Sequence, residues 1–223
     1  MSTIIVDYGD QIDIPGWVDD FGSFRRWFQS PEFPETGKIC FINNDIWVDL
    51  SMEELFSHNF VRTEINRMLA NLMKQTKYGQ FVSEGMRFSH LESNLSTEPD
   101  GMVLSNEAID TRRVKFVAGE KGEQTEVIGS PEIVIEVVSR SSEVKDTEWA
   151  MTAYFDAEIQ EYWLVDAREE DKIRFEIYKR GKKEFVATRK QNGFVKSGVL
   201  GKVFRLVRSE NASGNPEFTL EVR

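Results

Sequence analysis

Two acidic residues stand out because each interrupts an apolar run. Glu136 is the single charge within Ile133-Val-Ile-Glu-Val-Val138, and Asp100 follows Glu98-Pro99 at the head of Gly101-Met-Val-Leu104. A carboxylate in a buried strand is costly unless a partner or a cation compensates it. If the two strand ends are neighbours, Asp100 and Glu136 lie within a few ångströms and repel. The usual remedies are a shared proton or a hard cation that takes oxygen ligands. Mg²⁺ or Mn²⁺ suits such a pair, with waters completing the shell, and a water acidified by the metal can attack a phosphodiester. The competing reading is a structural ion pair, with a basic side chain filling the gap between the carboxylates.

The elements that must position this pair are legible in outline. Residues 38–50 read as a hairpin, with two β-rich runs around Asn43-Asn44, a pair that tolerates the positive φ of a tight turn. Ser51-Met-Glu-Glu54 has the capping-box pattern that starts a helix. Val61, Ile65, Met68, Leu69, Leu72 and Met73 continue it at helical spacing, and Gly79 is expected to stop it. Phe81-Val82, residues 86–88 and 101–104 read as short strands, and residues 133–138 as a strand buried on both faces. A second helix is expected over 146–157 and a strand over 161–166. Further strands are expected at 172–179, 184–189 and 203–208, with another at 218–222. The fold class is α/β, an α+β mixed sheet, and no repeat or linker divides residues 1–223, so one domain is expected.

Composition narrows the classes. At 223 residues, with 40% hydrophobic side chains, sixteen Phe and five Trp, the chain has enough apolar surface to fold around a sizeable core, burying roughly 70% of its unfolded surface. The opening residues reach Asp7 without a basic leader, which does not match a signal peptide, and no apolar run approaches the ~18 residues of a membrane span. A cytoplasmic location without membrane attachment is expected. Cys40 is the only cysteine, so neither an internal disulfide nor a Cys-based zinc site is expected; in Lys38-Ile-Cys-Phe-Ile42 it reads as a buried strand residue. The net charge of −10 runs against phosphate binding. Binding to nucleic acid would therefore need local basic patches, such as Arg112-Arg113-Val-Lys115 or Lys179-Arg180-Gly-Lys182-Lys183, or bound metal.

Taken in order, Pro99-Asp100, then Pro131-Glu-Ile-Val-Ile-Glu136-Val-Val-Ser139, then Lys145-Asp146 with Tyr154, then Glu161-Tyr-Trp-Leu-Val-Asp166, resemble the Uma-two family of restriction endonucleases within the PD-(D/E)XK nuclease superfamily. The resemblance covers about residues 30–205. It implies a restriction-endonuclease-like αβββαβ core, here with an N-terminal hairpin and additional C-terminal strands, and metal held by Asp100, Glu136 and the carbonyl of Val137. It also implies Mg²⁺ or Mn²⁺ as cofactor and nucleic acid, most simply DNA, as partner. A homodimer is the simplest assembly for making two cuts in a duplex. The sequence departs from the pattern at the catalytic lysine: the two positions where one is expected are Val138 and Ala150. Lys145 is the nearest replacement.

Supporting residues follow with their plainer alternatives. His58 matches a histidine at the start of the family's first helix, where a capping or packing role is as common as a substrate contact. Glu84 could add a third carboxylate or face solvent, and Glu98 lies two residues before Asp100 across Pro99. Ser139 either hydrogen-bonds at the strand end or starts the turn. Asp146 is a candidate helix N-cap, and Tyr154 is expected to pack over the core with its hydroxyl towards the site. Two functional classes result: a metal-dependent endonuclease with Asp100, Glu136 and Lys145 as its catalytic set, or a degenerate module of the same fold that binds nucleic acid or protein without cleaving.

Overall fold

The computed structural model describes residues 12–34, 36–119 and 122–223; the opening segment read above against a signal peptide lies outside them. The chain begins with α1 (Phe21–Phe28), capped by Asp20 in a reciprocal box with Ser23. Next come β1 (Lys38–Ile42) and β2 (Asp45–Asp49), which pair as the expected hairpin with Asn43 and Asn44 at φ of 54° and 62°. A π-helical turn, Leu55–Phe60, runs directly into α2 (Val61–Thr76). Then follow β3 (Gly79–Ser83), β4 (Arg87–His90), β5 (Leu95–Thr97), β6 (Gly101–Ser105), α3 (Asn106–Asp110), β7 (Val114–Ala118), β8 (Gln124–Gly129) and β9 (Ile133–Val137). A second π-helical turn, Lys145–Trp149, leads into α4 (Ala150–Asp156). The remainder is strand: β10 (Glu161–Glu169), β11 (Lys172–Arg180), β12 (Phe185–Ala187), β13 (Val195–Lys196), β14 (Val203–Glu210) and β15 (Pro216–Val222).

The central sheet has the order β12-β11-β10-β9-β6-β3. Read along the chain, α2, β3, β6, β9, α4 and β10 supply the expected αβββαβ core, with β9 and β10 parallel and β6 and β9 antiparallel. The intervening β4, β5, β7 and β8 leave it and join the hairpin in a second sheet, ordered β2-β1-β5-β4-β8-β7. The three-stranded sheet β13-β14-β15 and α2 cover one face of the central sheet in a core that includes Ile65, Leu69, Ile135, Val137, Trp163 and Phe204. The other face packs towards the second sheet through Phe88, Met102, Val134, Val138, Tyr154 and Tyr162. β9 therefore carries apolar side chains on both faces, as a strand between two layers must.

Both helices differ at their starts from what the sequence suggests. The Ser51 hydroxyl bonds to Ser141 instead of capping, Glu54 is the N-cap of the π-helical turn, and residues 51–54 stay outside the helix. Asp146 is no N-cap: it sits inside the second π-helical turn and is buried. Gly79 does not stop α2 either, since Lys77 ends it in a left-handed conformation and Gly79 opens β3.

Candidate active site

The strand pairing delivers the two carboxylates to one place. β6 and β9 align Gly101 with Ile135, so Asp100 stands one residue beyond the β6 ladder beside the C-terminal end of β9. Gly101 is required for that approach, because a Cβ there would lie 2.8 Å from the Phe81 ring on β3. The Asp100 Oδ2 then accepts the backbone N–H of Val137 at 2.7 Å, which extends the ladder with a side chain. Glu136 shares its strand face with Val134 and Val138, so it faces the second sheet. Both carboxylates line a cavity of about 420 Å³ together with Lys38, Trp47, Glu53, His58, Glu84, Lys145 and others.

Each carboxylate has its own ammonium. Lys38, at the start of β1, places Nζ 3.3 Å from Asp100 Oδ1, 2.5 Å from Glu84 and 3.9 Å from Glu53. His58 Nε2 lies 3.5 Å from Asp100 Oδ2, and Arg62 Nη1 lies 3.7 Å from Oδ1. On the other side, Tyr154 donates its hydroxyl to Glu136 Oε1 at 2.5 Å. Lys145 Nζ is 3.4 Å from the same oxygen and 2.8 Å from Asp146 Oδ1, with the Trp47 ring 5.1 Å away. Both π-helical turns contribute here, one His58 and the other Lys145 and Asp146. Such turns offset side chains from ordinary helical spacing and recur at functional sites.

The electrostatics differ between the two acids. Burial raises the Asp100 pKa, but the His58 contact, the Lys38 charge and the Val137 N–H outweigh it and hold the carboxyl well below its usual range. Glu136 is pushed up to about 8, chiefly by burial and further by the negative Asp146 and Asp100; Lys145 and Tyr154 only partly oppose this. Lys145 is held well above its ordinary value: burial disfavours the ammonium, and Glu136 and Asp146 overcome it. One lysine thus serves two buried acids. The Tyr154 phenol, buried against Glu136, is raised far enough to stay protonated.

The supporting residues also have definite positions. Glu84 pairs with Lys38 and Arg62 at the rim, and Glu98 lines the cavity while bonding Arg87. Arg87 is buried over the Phe28 ring and also donates to the Ile39 carbonyl at 2.6 Å, so it ties β1 next to Lys38 to the segment that enters β6. Ser139 closes the turn after β9 through Ser141 and Ser142, and Ser141 reaches Asp49 at 2.7 Å. The backbone group of Val137 in contact with Asp100 is its N–H. The sequence reading missed Lys38, Arg62, Glu53 and Trp47. Lys38 carried a usable signal, a lone charge at the head of the apolar run Ile39–Ile42. Among the described residues no group of three or more His, Cys, Asp or Glu is placed to hold a metal ion.

Comparison with known proteins supplies the lineage. A family model named Uma2, described as "Putative restriction endonuclease", matches residues 23–201. The chain belongs to the Uma2 family. A crystal structure of "a putative nuclease belonging to DUF820" from Anabaena variabilis is similar in fold, with a TM-score of 0.57 at 19% identity, covering 82% of this chain and 90% of that one. No functionally curated protein matches the chain. Family and fold together support a nuclease-like protein, and no described helix is long and apolar enough to cross a membrane.

Proposed function

We propose that this Uma2 protein is a metal-dependent endonuclease that hydrolyses DNA phosphodiester bonds at the cavity bounded by Asp100 and Glu136. The observation that carries the reading is that a cation already sits among acids there: the Lys38 ammonium lies between Glu53, Glu84 and Asp100. The donor set fits a hard divalent ion in the manner of Mg²⁺, which takes one or two carboxylates and keeps its waters, so a full protein cage is not needed. Asp100 and Glu136 would hold it, with the Val137 carbonyl as third donor. When bound, the ion supplies an acidified water and charge neutralisation at the phosphate. Asp146 and Asp100, which add to burial in raising Glu136, are a further reason for a cation to bind.

The protein's own residues have separable tasks. Tyr154 and Lys145 fix the Glu136 carboxylate from one side, leaving it facing the cavity. Lys145 is 4% exposed and held by two acids, which suits positioning. The Lys38 side chain is 26% exposed, and its flexible stem can swing from Asp100 to a phosphate oxygen. In this reading Lys38, more than Lys145, stands in for the lysine absent at Val138 and Ala150. His58, whose protonation Asp100 favours against burial, donates towards Asp100 and keeps that carboxylate ionised.

The test is nicking of supercoiled plasmid with Mg²⁺ or Mn²⁺, alongside calorimetric titration of the ion into wild type, Asp100→Ala and Glu136→Ala. Metal-dependent nicking lost in both variants supports the endonuclease. A second reading, a module that binds without cleaving, is favoured by the missing lysine and by the ion pairing of both carboxylates. It expects metal or nucleic-acid binding with no cleavage under any ion.

A further inference from the structure

A second cavity, of about 560 Å³, lies between the β12 edge of the central sheet and the three-stranded sheet. Its charged side chains are those of Lys179, Arg189, Lys196 and Arg223, with no Asp or Glu in the lining. Among the described residues none of these four side chains pairs with an Asp or Glu within 4.0 Å, although the chain carries −10 overall. The other basic run behaves differently. Arg113 is spent on Glu107 and Glu132, and Arg112 and Lys115 line a cavity shared with Glu92, Asp156 and Glu158. Positive charge that is left unpaired in an acidic protein attracts a polyanion, and a groove between low-dielectric walls concentrates that field.

The groove is also built to hold its cations in place. β13 and Arg223 flank Val203 of β14 from opposite sides, Val195 pairing with Phe204 and Arg223 exchanging two backbone bonds with Val203 at 3.0 Å. The Arg223 guanidinium lies 4.4 Å over the Phe194 ring, which fixes its plane. Lys179 faces in from β11, and Gln191 and Asn192 add neutral donors.

We infer that this groove binds the phosphate backbone of a nucleic-acid strand at a place separate from the carboxylate cavity. The inference rests on the nucleic-acid reading above. Lys179 lies level with Glu161 and Ile133 in the sheet, four residues short of Val137, or about 13 Å along the strand. It shares its strand face with Ile177 and Phe175 of the α2-side core, so it is on the opposite face from Glu136. The groove therefore holds a remote part of a long substrate and takes no part in bond cleavage.

The experiment uses full-length Glu136→Gln protein in EDTA, so that binding is read without cleavage, and follows the anisotropy of a labelled 30-nucleotide strand over a salt series. Lys179→Glu with Lys196→Glu is expected to weaken binding at least tenfold and to flatten the log–log salt dependence by about 1.4–1.8, the loss of two phosphate contacts. Lys182→Glu with Lys183→Glu, the same charge change on the adjoining turn, is expected to cost less than threefold. Lys179→Gln with Lys196→Gln repeats the test with a milder change, and circular dichroism confirms the fold. Equal losses in the groove and turn variants, no loss in either, or no binding by the parent would overturn the inference. So would groove-dependent binding of anionic lipid vesicles without nucleic-acid binding. Groove-dependent binding without nicking in the wild type would sink the endonuclease reading alone, and nicking with unaffected groove variants would sink this inference alone.

Discussion

The two ends of the central sheet treat buried carboxylates in opposite ways. At one end Glu161 is surrounded by neutral donors: the Ser197 hydroxyl at 2.7 Å, the Trp163 indole at 3.0 Å and the backbone N–H groups of Gly198 and Val199. Glu132 nearby accepts from the Ser105 N–H and hydroxyl and pairs with Arg113. At the other end Glu136, four residues along the same strand from Glu132, shares one lysine with Asp146 and opens onto a cavity. A carboxylate completed by fixed dipoles ties loops to the sheet and leaves nothing over for a ligand. One that is under-compensated and faces a cavity can still gain from a cation. Burial alone does not distinguish structure from chemistry, and the supply of partners does.

The sharpest way to break this contrast is to truncate both ends. Asp100→Ala and Glu136→Ala are each expected to lower metal-dependent plasmid nicking roughly a hundredfold or more, while Glu161→Gln leaves the turnover rate within about twofold. A nicking defect in Glu161→Gln as large as that in Glu136→Ala would erase the distinction. Stability should show the reverse ranking. Glu161→Ala strands four donors, of which the Trp163 indole and the Ser197 hydroxyl are buried, and is expected to cost about 3 kcal/mol in urea unfolding. Glu136→Ala in EDTA is expected to cost less, because it also removes a buried acid whose proton the fold must hold against release.

A smaller effect separates the two lysines of the cavity. Lys38→Ala is expected to reduce the turnover rate about tenfold with little change in melting temperature. Lys145→Ala leaves Glu136 and Asp146 unpaired and buried, and is expected to lower the melting temperature as well as activity. If Lys145→Ala melts like wild type and alone loses turnover, Lys145 and not Lys38 is the substrate lysine.

Much of this was readable before the fold was known. Asp100 and Glu136 were visible because each breaks an apolar strand, and the Asn43-Asn44 turn because few residues accept its backbone angles. Lys38 was harder to see, since a lysine heading a hairpin is normally solvated; only the return of β1 beside β5 brings it to Asp100. The second sheet is a non-local object: β4 pairs in parallel with β8, nearly forty residues later, and no local pattern encodes that. The π-helical turns were invisible because each runs directly into a helix of ordinary spacing, which masks the offset. Ser51 matched the capping pattern, yet its hydroxyl had a better partner in Ser141, ninety residues away in sequence.

The finest test is pH, because Asp100 and Glu136 push stability in opposite directions. Asp100 titrates in the fold well below its ordinary value of 3.8, so its contribution is present above that pH and is lost as pH falls through the acid range. Glu136 titrates at about 8 instead of 4.5, so between those values the folded protein keeps a proton that the unfolded chain has released. Stability therefore declines as pH rises through that window. Asp146, also raised, mainly by burial, acts in the same direction. In EDTA the unfolding free energy is expected to fall between pH 5 and pH 8 by an amount on the order of 3 kcal/mol, with the melting temperature falling in step. Glu136→Gln should flatten most of that slope, and excess Mg²⁺ should flatten it in the wild type by favouring the ionised carboxylate. A flat wild-type profile in EDTA would mean that Lys145 and Tyr154 compensate Glu136 fully, which would make this end of the sheet as self-sufficient as the Glu161 end and remove the reason for a cation to bind.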